Sequence, residues 1–281
     1  MGGNTAGSLA ILFALGASGC PNTIEQSPAK SEKRLGICKD FLSKNDLEAA
    51  EGECSKAIAY NTNNDEAYVV RGVVSFIRAG AAKKAMEVDS CMTGLDAEAM
   101  DKDLQTHLAK AEQDFEHATK VTPDYGDAWS HRGVVASLVG DFAGAQGHFV
   151  KALENPTRLA DPSLTRAHLG WSLFNQQQYV DAAKELLTAL QFKPKMCVAT
   201  YRLGRVYFAR EEWEKAAEQF QTVSEDPSCG SQEASYYLMK TRMQQGLVAE
   251  AKSARDACLT QWPKSSKSCI AAKCRADGGS L

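Results

Sequence analysis

The sequence predicts an all-α fold, a solenoid of about six consecutive helix pairs that ends in a short C-terminal capping helix. Two observations predict the repeats: the segments YVVRGVVSFIRAG at 68–80 and WSHRGVVASLVG at 129–140 nearly copy each other, and related segments recur through the chain. Recurrence at a period of about 20 to 50 residues is typical of folds in which each unit packs on its neighbours. The composition agrees with a folded chain, since 44% hydrophobic and 24% charged residues are ordinary for a globular protein.

The repeated unit is clearest at 127–156, where apolar residues of different sizes occupy fixed positions. Positions 4, 8, 11, 20, 24 and 27 of a unit starting at residue 126 hold Trp129, Gly133, Ala136, Ala145, Phe149 and Ala152. Small residues at 8, 20 and 27 let two helices approach closely, and the larger residues fill the space that remains. The pattern resembles the tetratricopeptide repeat (TPR), a helix pair of about 34 residues, and this resemblance implies a right-handed superhelix.

Six such units fit the chain between residues 31 and 264, with starts near 31, 65, 126, 163, 197 and 232. The second and third starts are 61 residues apart, which leaves about 27 residues beyond one repeat. We expect these residues, at about 80–105, to form a short helical excursion between the two helices of the second repeat. Residues 265–281 should form the C-terminal cap and tail.

The N-terminus predicts export and lipid attachment. An apolar run from Leu9 to Ala17 is too short to span a bilayer but has the length of a signal-peptide core, so residues 1–19 are interpreted as a lipoprotein-type signal peptide. Small residues stand directly before Cys20, as in a bacterial lipobox, which predicts lipidation of Cys20 and a linker at 20–30. The alternative is an ordinary secretory signal with a cysteine nearby by chance.

The chain holds nine cysteines, and eight remain if Cys20 carries lipid. An even number in an exported chain predicts disulfides. The expected pairs are Cys38 with Cys54, which face each other across the first helix pair; Cys197 with Cys229, in the loops entering repeats five and six; and Cys258 with Cys269 or Cys274. Cys91 and one C-terminal cysteine stay unassigned. The sequence has no C-x-x-C or H-E-x-x-H spacing, so we expect no metal and no cofactor.

The concave surface of such a solenoid is lined by positions 2, 5, 9 and 12 of the first helices. Here these positions predict a mostly apolar and aromatic groove, formed by Val69, Val73, Phe76, Val134, Trp171, Phe174, Tyr201, Arg205, Phe208, Tyr236 and Lys240. An exposed apolar groove rimmed by charge suits an extended apolar or amphipathic segment of a partner protein. The alternative is that these side chains pack between repeats or lie under the insertion. Trp171, Phe174 and Phe208 are the preferred anchors, since large aromatics supply most contact energy at interfaces.

Two further features of the first helices bear on the ligand. The set of Lys, Asn and Arg with which some TPR proteins clamp a C-terminal carboxylate is absent. Position 6 holds His131, His168 and Arg202 in three consecutive repeats, a possible polar ladder that would contact an acidic partner or respond to pH. The alternative for the ladder is solvation, or pairing with nearby glutamates.

Composition and motifs exclude two classes of function. The net charge is −3, from 32 basic and 35 acidic residues with both signs interleaved, so no broad cationic face exists for nucleic acid. No glycine-rich phosphate loop and no G-x-S-x-G motif occurs, so we expect neither an enzyme nor a small-molecule substrate.

From about residue 163 onward the chain is similar to the Tgl and PilF group of TPR lipoproteins, called pilotins. The similarity lies in LGWSLF, in KMCVATYRLGRVYF, in the cysteine ahead of EASYYLM, and in DACLTQWP with a cysteine after it. It implies a bacterial outer-membrane lipoprotein that faces the periplasm, is anchored through Cys20, and helps the type IV pilus secretin insert and assemble through its groove aromatics. The alternative is a generic envelope scaffold in another secretion or cell-wall system.

Overall fold

A computed structural model describes residues 25–88, 95–229, 231–260 and 269–279. Cys20, Cys91 and the predicted signal peptide lie outside these residues. The described chain forms α1 (Pro28–Ser43), α2 (Leu47–Tyr60), α3 (Asp65–Val88), α4 (Leu95–Val121), α5 (Gly126–Leu138), α6 (Phe142–Glu154), α7 (Pro162–Asn175), α8 (Tyr179–Phe192), α9 (Cys197–Ala209), α10 (Trp213–Glu225), α11 (Gln232–Gln244), α12 (Val248–Thr260) and α13 (Cys269–Asp277), with one 3₁₀ turn at Pro156–Arg158.

The helices pack in chain order as six antiparallel pairs. Each odd-numbered helix up to α11 packs on the helix that comes after it, and each pair then packs on the next pair. The last helix, α13, packs on both α11 and α12 and closes the C-terminal end. The predicted all-α solenoid with a capping helix is therefore confirmed. Among the described residues no helix has the length and apolar character needed to cross a membrane.

Close approach within each pair depends on position 8, where four repeats have glycine. A Cβ atom on Gly133 would lie 2.5 Å from the Phe149 ring, and one on Gly204 would lie 2.7 Å from the Phe220 ring. Both distances are far below van der Waals contact, so any larger residue would push the helices apart.

The first helix begins earlier than the predicted repeat start at 31 and takes in the end of the predicted 20–30 linker. Pro28 stands at the start of α1, and the Ser27 hydroxyl accepts a hydrogen bond from the Lys30 backbone N–H. A serine directly before a proline is a strong helix-start signal, since the serine caps a free N–H and proline needs no hydrogen bond there. The helix therefore starts at this pair.

The described part of the insertion extends both helices of the second repeat, α3 as far as Val88 and α4 from Leu95 onward. Helix α3 has 24 residues against 13 in α5, an excess of roughly 16 Å of helix at about 1.5 Å per residue. The partner α4 has 27 residues. The run AAKKAMEV after Gly80 is rich in strong helix formers, so the helix continues where the other repeats turn.

Among the described residues, three disulfides join helices or loops of the solenoid. Cys38 bonds to Cys54 across α1 and α2, with 5.3 Å between their Cα atoms. Cys197, the first residue of α9, bonds to Cys229 in the loop before α11. Cys258 bonds to Cys274, the second of the two partners that the sequence left open, and this bond fastens α13 to α12.

Candidate protein-binding groove

The predicted groove residues of the second and third repeats are largely taken up by packing. Val69 is 6% exposed and belongs to the hydrophobic core, and the half-buried Val73 and Phe76 pack against that core. Val134 packs in the same way on the core of the next repeats. This end of the groove therefore presents an apolar surface whose side chains are partly or fully buried against the core.

The fourth, fifth and sixth repeats form an aromatic surface. Trp171 and Phe174 stack with 4.9 Å between ring centroids, and both are half-buried. Tyr201 meets Tyr237 edge-on at 6.3 Å, and Phe208 meets Tyr237 edge-on at 5.5 Å. Such edge-to-face and offset contacts stabilise each pair beyond its buried area and hold the rings in place. We name these five side chains the aromatic cluster.

Arg205 lies in the middle of the aromatic cluster. Its guanidinium carbon is 4.1 Å from the Tyr237 ring centroid, 5.5 Å from that of Phe174 and 5.6 Å from that of Trp171. Its Nη1 donates a hydrogen bond of 3.1 Å to the Tyr201 hydroxyl. All three ring distances fall within the range of cation–π attraction. Burial, and then the charge of nearby Glu233, raise the pKa of Tyr201, so its phenol stays neutral.

Arg202 lies beneath Trp171, toward the preceding repeat. Its Nη1 donates to the Ala167 carbonyl at 2.9 Å and lies 3.1 Å from Nδ1 of His168. Burial lowers the pKa of Arg202 to about 10, which leaves the guanidinium charged at neutral pH. In the described part of the chain neither Arg202 nor Arg205 forms an ion pair with a carboxylate.

The two histidines of the predicted polar ladder lie between repeats and do not form a charged row. The His131 ring stacks on Phe115 at 4.9 Å, and the His168 ring stacks on Phe149 at 5.7 Å. Burial lowers the pKa of His131, and burial with the Arg202 charge lowers the pKa of His168 to about 3. Both rings are therefore neutral at neutral pH, and in the described structure they are half-buried against phenylalanine and form no ion pair with a glutamate.

The stacking of these histidines follows a regular relation between neighbouring repeats. A position-6 side chain packs on the position-24 ring of the preceding repeat, and Tyr237 does so on Phe220 at 5.5 Å. The fifth repeat departs from this relation because position 24 of the fourth repeat is Leu186. Arg202 therefore has no position-24 ring to stack on, and its guanidinium lies 5.5 Å from the Trp171 ring centroid and 3.1 Å from Nδ1 of His168. The sequence does contain a signal for this stacking, the phenylalanine that recurs at position 24. Because Phe220 holds that position in the fifth repeat, the same signal predicts a stacked side chain at Tyr237.

The C-terminal cap covers one predicted groove residue. Tyr236 is 9% exposed, and its hydroxyl donates a hydrogen bond of 2.6 Å to the Asp277 carboxylate on α13. Burial and this carboxylate raise the pKa of Tyr236. Lys240 stays half-buried, with its Nζ 5.6 Å from the Tyr236 ring. Phe208 also packs edge-on against Trp213 of α10, with 5.3 Å between ring centroids, and this contact holds the Phe208 ring in place.

The described residues contain no cluster of His, Cys, Asp or Glu that would hold a metal ion. What the groove presents instead is a rigid aromatic surface with a cation at its centre. Rigid aromatic side chains bind at low entropic cost, so this arrangement suits a protein ligand.

Several solved structures are similar to this one along most of the chain. PilW, a widely conserved type IV pilus biogenesis factor, has a TM-score of 0.64 at 16% identity over 86% of this chain and 96% of PilW. PilF of Pseudomonas aeruginosa has a TM-score of 0.65 at 11% identity over 89% of this chain and 98% of PilF. YrrB, a TPR protein with an unusual peptide-binding site, has a TM-score of 0.52 at 17% identity over 79% of this chain and 97% of YrrB.

No protein-family model and no curated protein matches the sequence. At the identities found among solved structures, similarity shows the fold alone. The predicted repeat architecture is thus confirmed in both element order and packing: the chain has the TPR fold.

Proposed function

We propose that the protein is a non-enzymatic TPR interaction module, lipid-anchored through Cys20 to the outer membrane and facing the periplasm, that assists assembly of a type IV pilus secretin. The observation that carries the interaction role is the aromatic cluster, which presents half-buried rings on the surface where TPR solenoids bind their partners. The fold of the similar structures is typical of scaffolds, which supports a non-enzymatic role.

Two observations support the pilus setting. The likeness to PilW and PilF spans nearly the whole length of both proteins, so it covers the repeat number as well as the repeat type. The disulfides between described cysteines join separate helices and loops of the solenoid, which fits an oxidising compartment such as the periplasm.

The physical task of such a protein derives from the nature of a secretin. Its strands are amphipathic and pair with other strands until the barrel closes, so they aggregate if they reach the periplasm unprotected. An apolar groove held at the membrane by lipid would shelter one such segment where the barrel must form. Acylation with more than one chain makes this anchoring stable.

The test is deletion of the gene in the source organism, together with detection of SDS-resistant secretin multimers in the outer membrane. We expect the multimers to disappear while secretin monomer persists, and a plasmid copy of the gene to restore them. A plasmid copy with Cys20→Ser should restore them poorly, because the groove would then act away from the membrane. Normal multimers in the deletion strain would contradict the secretin role and leave a scaffold for another envelope system.

A further inference from the structure

Four arginines that lie between helices of this solenoid are paired with carboxylates, whereas the half-buried Arg242 donates to the side-chain oxygens of Gln221 and Gln245. The pairs are Arg34 with Glu53, Arg71 with Asp114, Arg132 with Glu112, and Arg166 with Glu185, at N–O distances of 2.7 to 2.9 Å. Among the residues that the structure describes, Arg202 and Arg205 have no such partner although both are half-buried. A partly desolvated cation without a counter-ion costs stability, so its presence at the groove points to a charge supplied by a ligand.

The surroundings of Arg205 suit a carboxylate that has apolar neighbours. Trp171, Phe174 and Tyr237 all lie against the guanidinium and shield part of it from water. The Tyr201 hydroxyl accepts one hydrogen bond from Arg205, and the other N–H groups of this guanidinium have no hydrogen-bond partner among the described residues, so they can meet a bidentate acceptor. A bidentate bond between arginine and carboxylate is among the strongest charge-assisted pairs, and partial exclusion of water strengthens it further.

The groove also changes character along its length. Position 9 of successive repeats holds Val73, Val134, Trp171, Arg205 and Lys240. The row is thus apolar in the second to fourth repeats and cationic in the fifth and sixth. An extended segment lying along it would meet apolar surface over one half and positive charge over the other.

We propose that the groove binds an extended protein segment whose apolar part lies on the second to fourth repeats and whose Asp or Glu side chain binds Arg205, with Lys240 beside it. This rests on the proposed function only in taking the ligand to be a protein, and it adds the chemistry that the ligand must have. The occupant is an acidic side chain within a chain, since the residue set that clamps a C-terminal carboxylate is absent from these helices.

One acidic group of the protein itself lies near the site and sharpens the prediction. Glu233 is exposed on α11 and close enough to influence the Tyr201 phenol, yet it forms no ion pair with Arg205 in the described structure. It would repel an incoming carboxylate. Removing its charge with Glu233→Gln should therefore strengthen the binding of acidic segments by a few-fold, whereas removing the charge of Arg205 should weaken it.

The test uses the full chain and random 12-residue peptides displayed on phage, each joined at its C-terminus to the coat protein so that no free carboxyl terminus is present. Peptides selected on the wild-type protein should be enriched in Asp or Glu beside an aromatic or aliphatic residue. Selection on Arg205→Gln should lose this enrichment. The matched control is Arg210→Gln, which removes the same charge from an exposed arginine that pairs with Glu212 just after α9, and which should keep the enrichment.

The best peptide, synthesised with an amidated C-terminus, then gives the affinities by fluorescence anisotropy. Replacing its acidic residue by the amide should weaken binding to the wild type about tenfold, and most of this difference should vanish on Arg205→Gln. Arg205→Lys should keep part of it, because lysine retains the charge without the fork. Circular dichroism melting confirms that each variant is folded before its affinity is compared.

Three results would overturn the inference: equal acid enrichment on wild type and Arg205→Gln, enrichment only in a second library that carries free C-termini, or no enrichment on the wild type. The secretin role is tested separately by the multimers of the deletion strain. If the protein selects acidic peptides but the deletion strain has normal multimers, this inference stands and the secretin role is wrong. If the multimers are lost but the protein shows no preference for acidic peptides, the secretin role stands and this inference is wrong.

Discussion

Cys38 and Cys54 form a disulfide at the place where other repeats set a glycine against a large apolar side chain. In the third repeat those positions, 8 and 24, hold Gly133 and Phe149, whose ring lies against the glycine. Both solutions bring the two helices of a pair together at one point. The covalent one occurs in the first described pair, which packs on one neighbouring repeat only.

Replacing both cysteines of the first repeat by alanine should loosen α1 and α2. The bond closes a loop of 16 residues, and a loop of this size stabilises by about 2 to 4 kcal/mol. In a repeat protein the loss should concentrate in the unit concerned. Hydrogen exchange should therefore show faster exchange of the amides of these two helices, with α9 and α10 unchanged.

A second variant of this repeat tests whether a contact between glycine and phenylalanine can replace the disulfide. Cys38→Gly with Cys54→Phe installs the residues found at these positions in the third repeat, and it should recover at least half of the lost protection. Protection of α1 that stays the same in the alanine variant would show that helix packing alone holds this repeat together.

Gly133→Ala should destabilise the third repeat by about 1 to 3 kcal/mol, since the new methyl group would lie 2.5 Å from the Phe149 ring. The matched control is Gly147→Ala on the exposed face of α6, where no atom lies within 4 Å of the added carbon. That change should stabilise by about 0.5 to 1 kcal/mol through helix propensity. Urea unfolding of the two variants gives both values, and equal signs would refute the packing argument.

The helix starts were predictable because the TPR pattern has a fixed period and small residues at fixed places. A Cβ beneath Phe149 or Phe220 does not fit, so Gly133 and Gly204 mark the register in the sequence itself. The repeat register places the first unit at residue 31, but α1 begins at Pro28 because Ser27 caps the helix directly ahead of that proline. The repeat spacing predicts where the insertion lies, whereas the length of α3 depends on how far helix propensity carries this helix past Gly80.

The groove was less predictable because exposure depends on contacts between distant parts of the chain. Tyr236 carries the groove position, yet α13 covers it, and the placement of α13 depends on the Cys258–Cys274 pairing that the sequence left open. His131 and His168 stack on phenylalanine, a contact between neighbouring repeats that the pattern of a single repeat does not contain. Tyr237 was missed since its partners come from the fifth repeat.

His168 should make the protein sensitive to mild acid. Its pKa is about 3 in the fold and about 6.5 when unfolded, so the fold favours the neutral ring. This contribution is fully present above pH 6.5 and is lost as the pH falls from 6.5 toward 3. Between pH 7 and 4.5 the wild type should lose on the order of 2 kcal/mol more stability than His168→Phe, which keeps the stack without the charge. Thermal melts at the two pH values measure it.

Proton NMR of the same histidine gives an independent reading. The His168 ring resonance should stay constant down to about pH 4, whereas an exposed histidine titrates near pH 6.5. A midpoint near 6 for His168 would show that Arg202 and the Phe149 stack do not suppress its charge.

Trp171→Ala should reduce secretin multimers in cells that carry it as the only copy, while Tyr236→Phe should leave them unchanged. Both residues carry groove positions in the sequence, but Trp171 is half-buried in the open aromatic cluster whereas Tyr236 is 9% exposed under α13. Truncation of a central aromatic anchor costs about 2 kcal/mol or more of binding, which is roughly a thirtyfold loss of affinity. Loss of the Tyr236 hydroxyl removes only its hydrogen bond to Asp277, a local cost of about 1 kcal/mol. Immunoblots of SDS-resistant multimers, normalised to the amount of each variant, compare the two, and an equal effect of both substitutions would place the binding surface elsewhere on the solenoid.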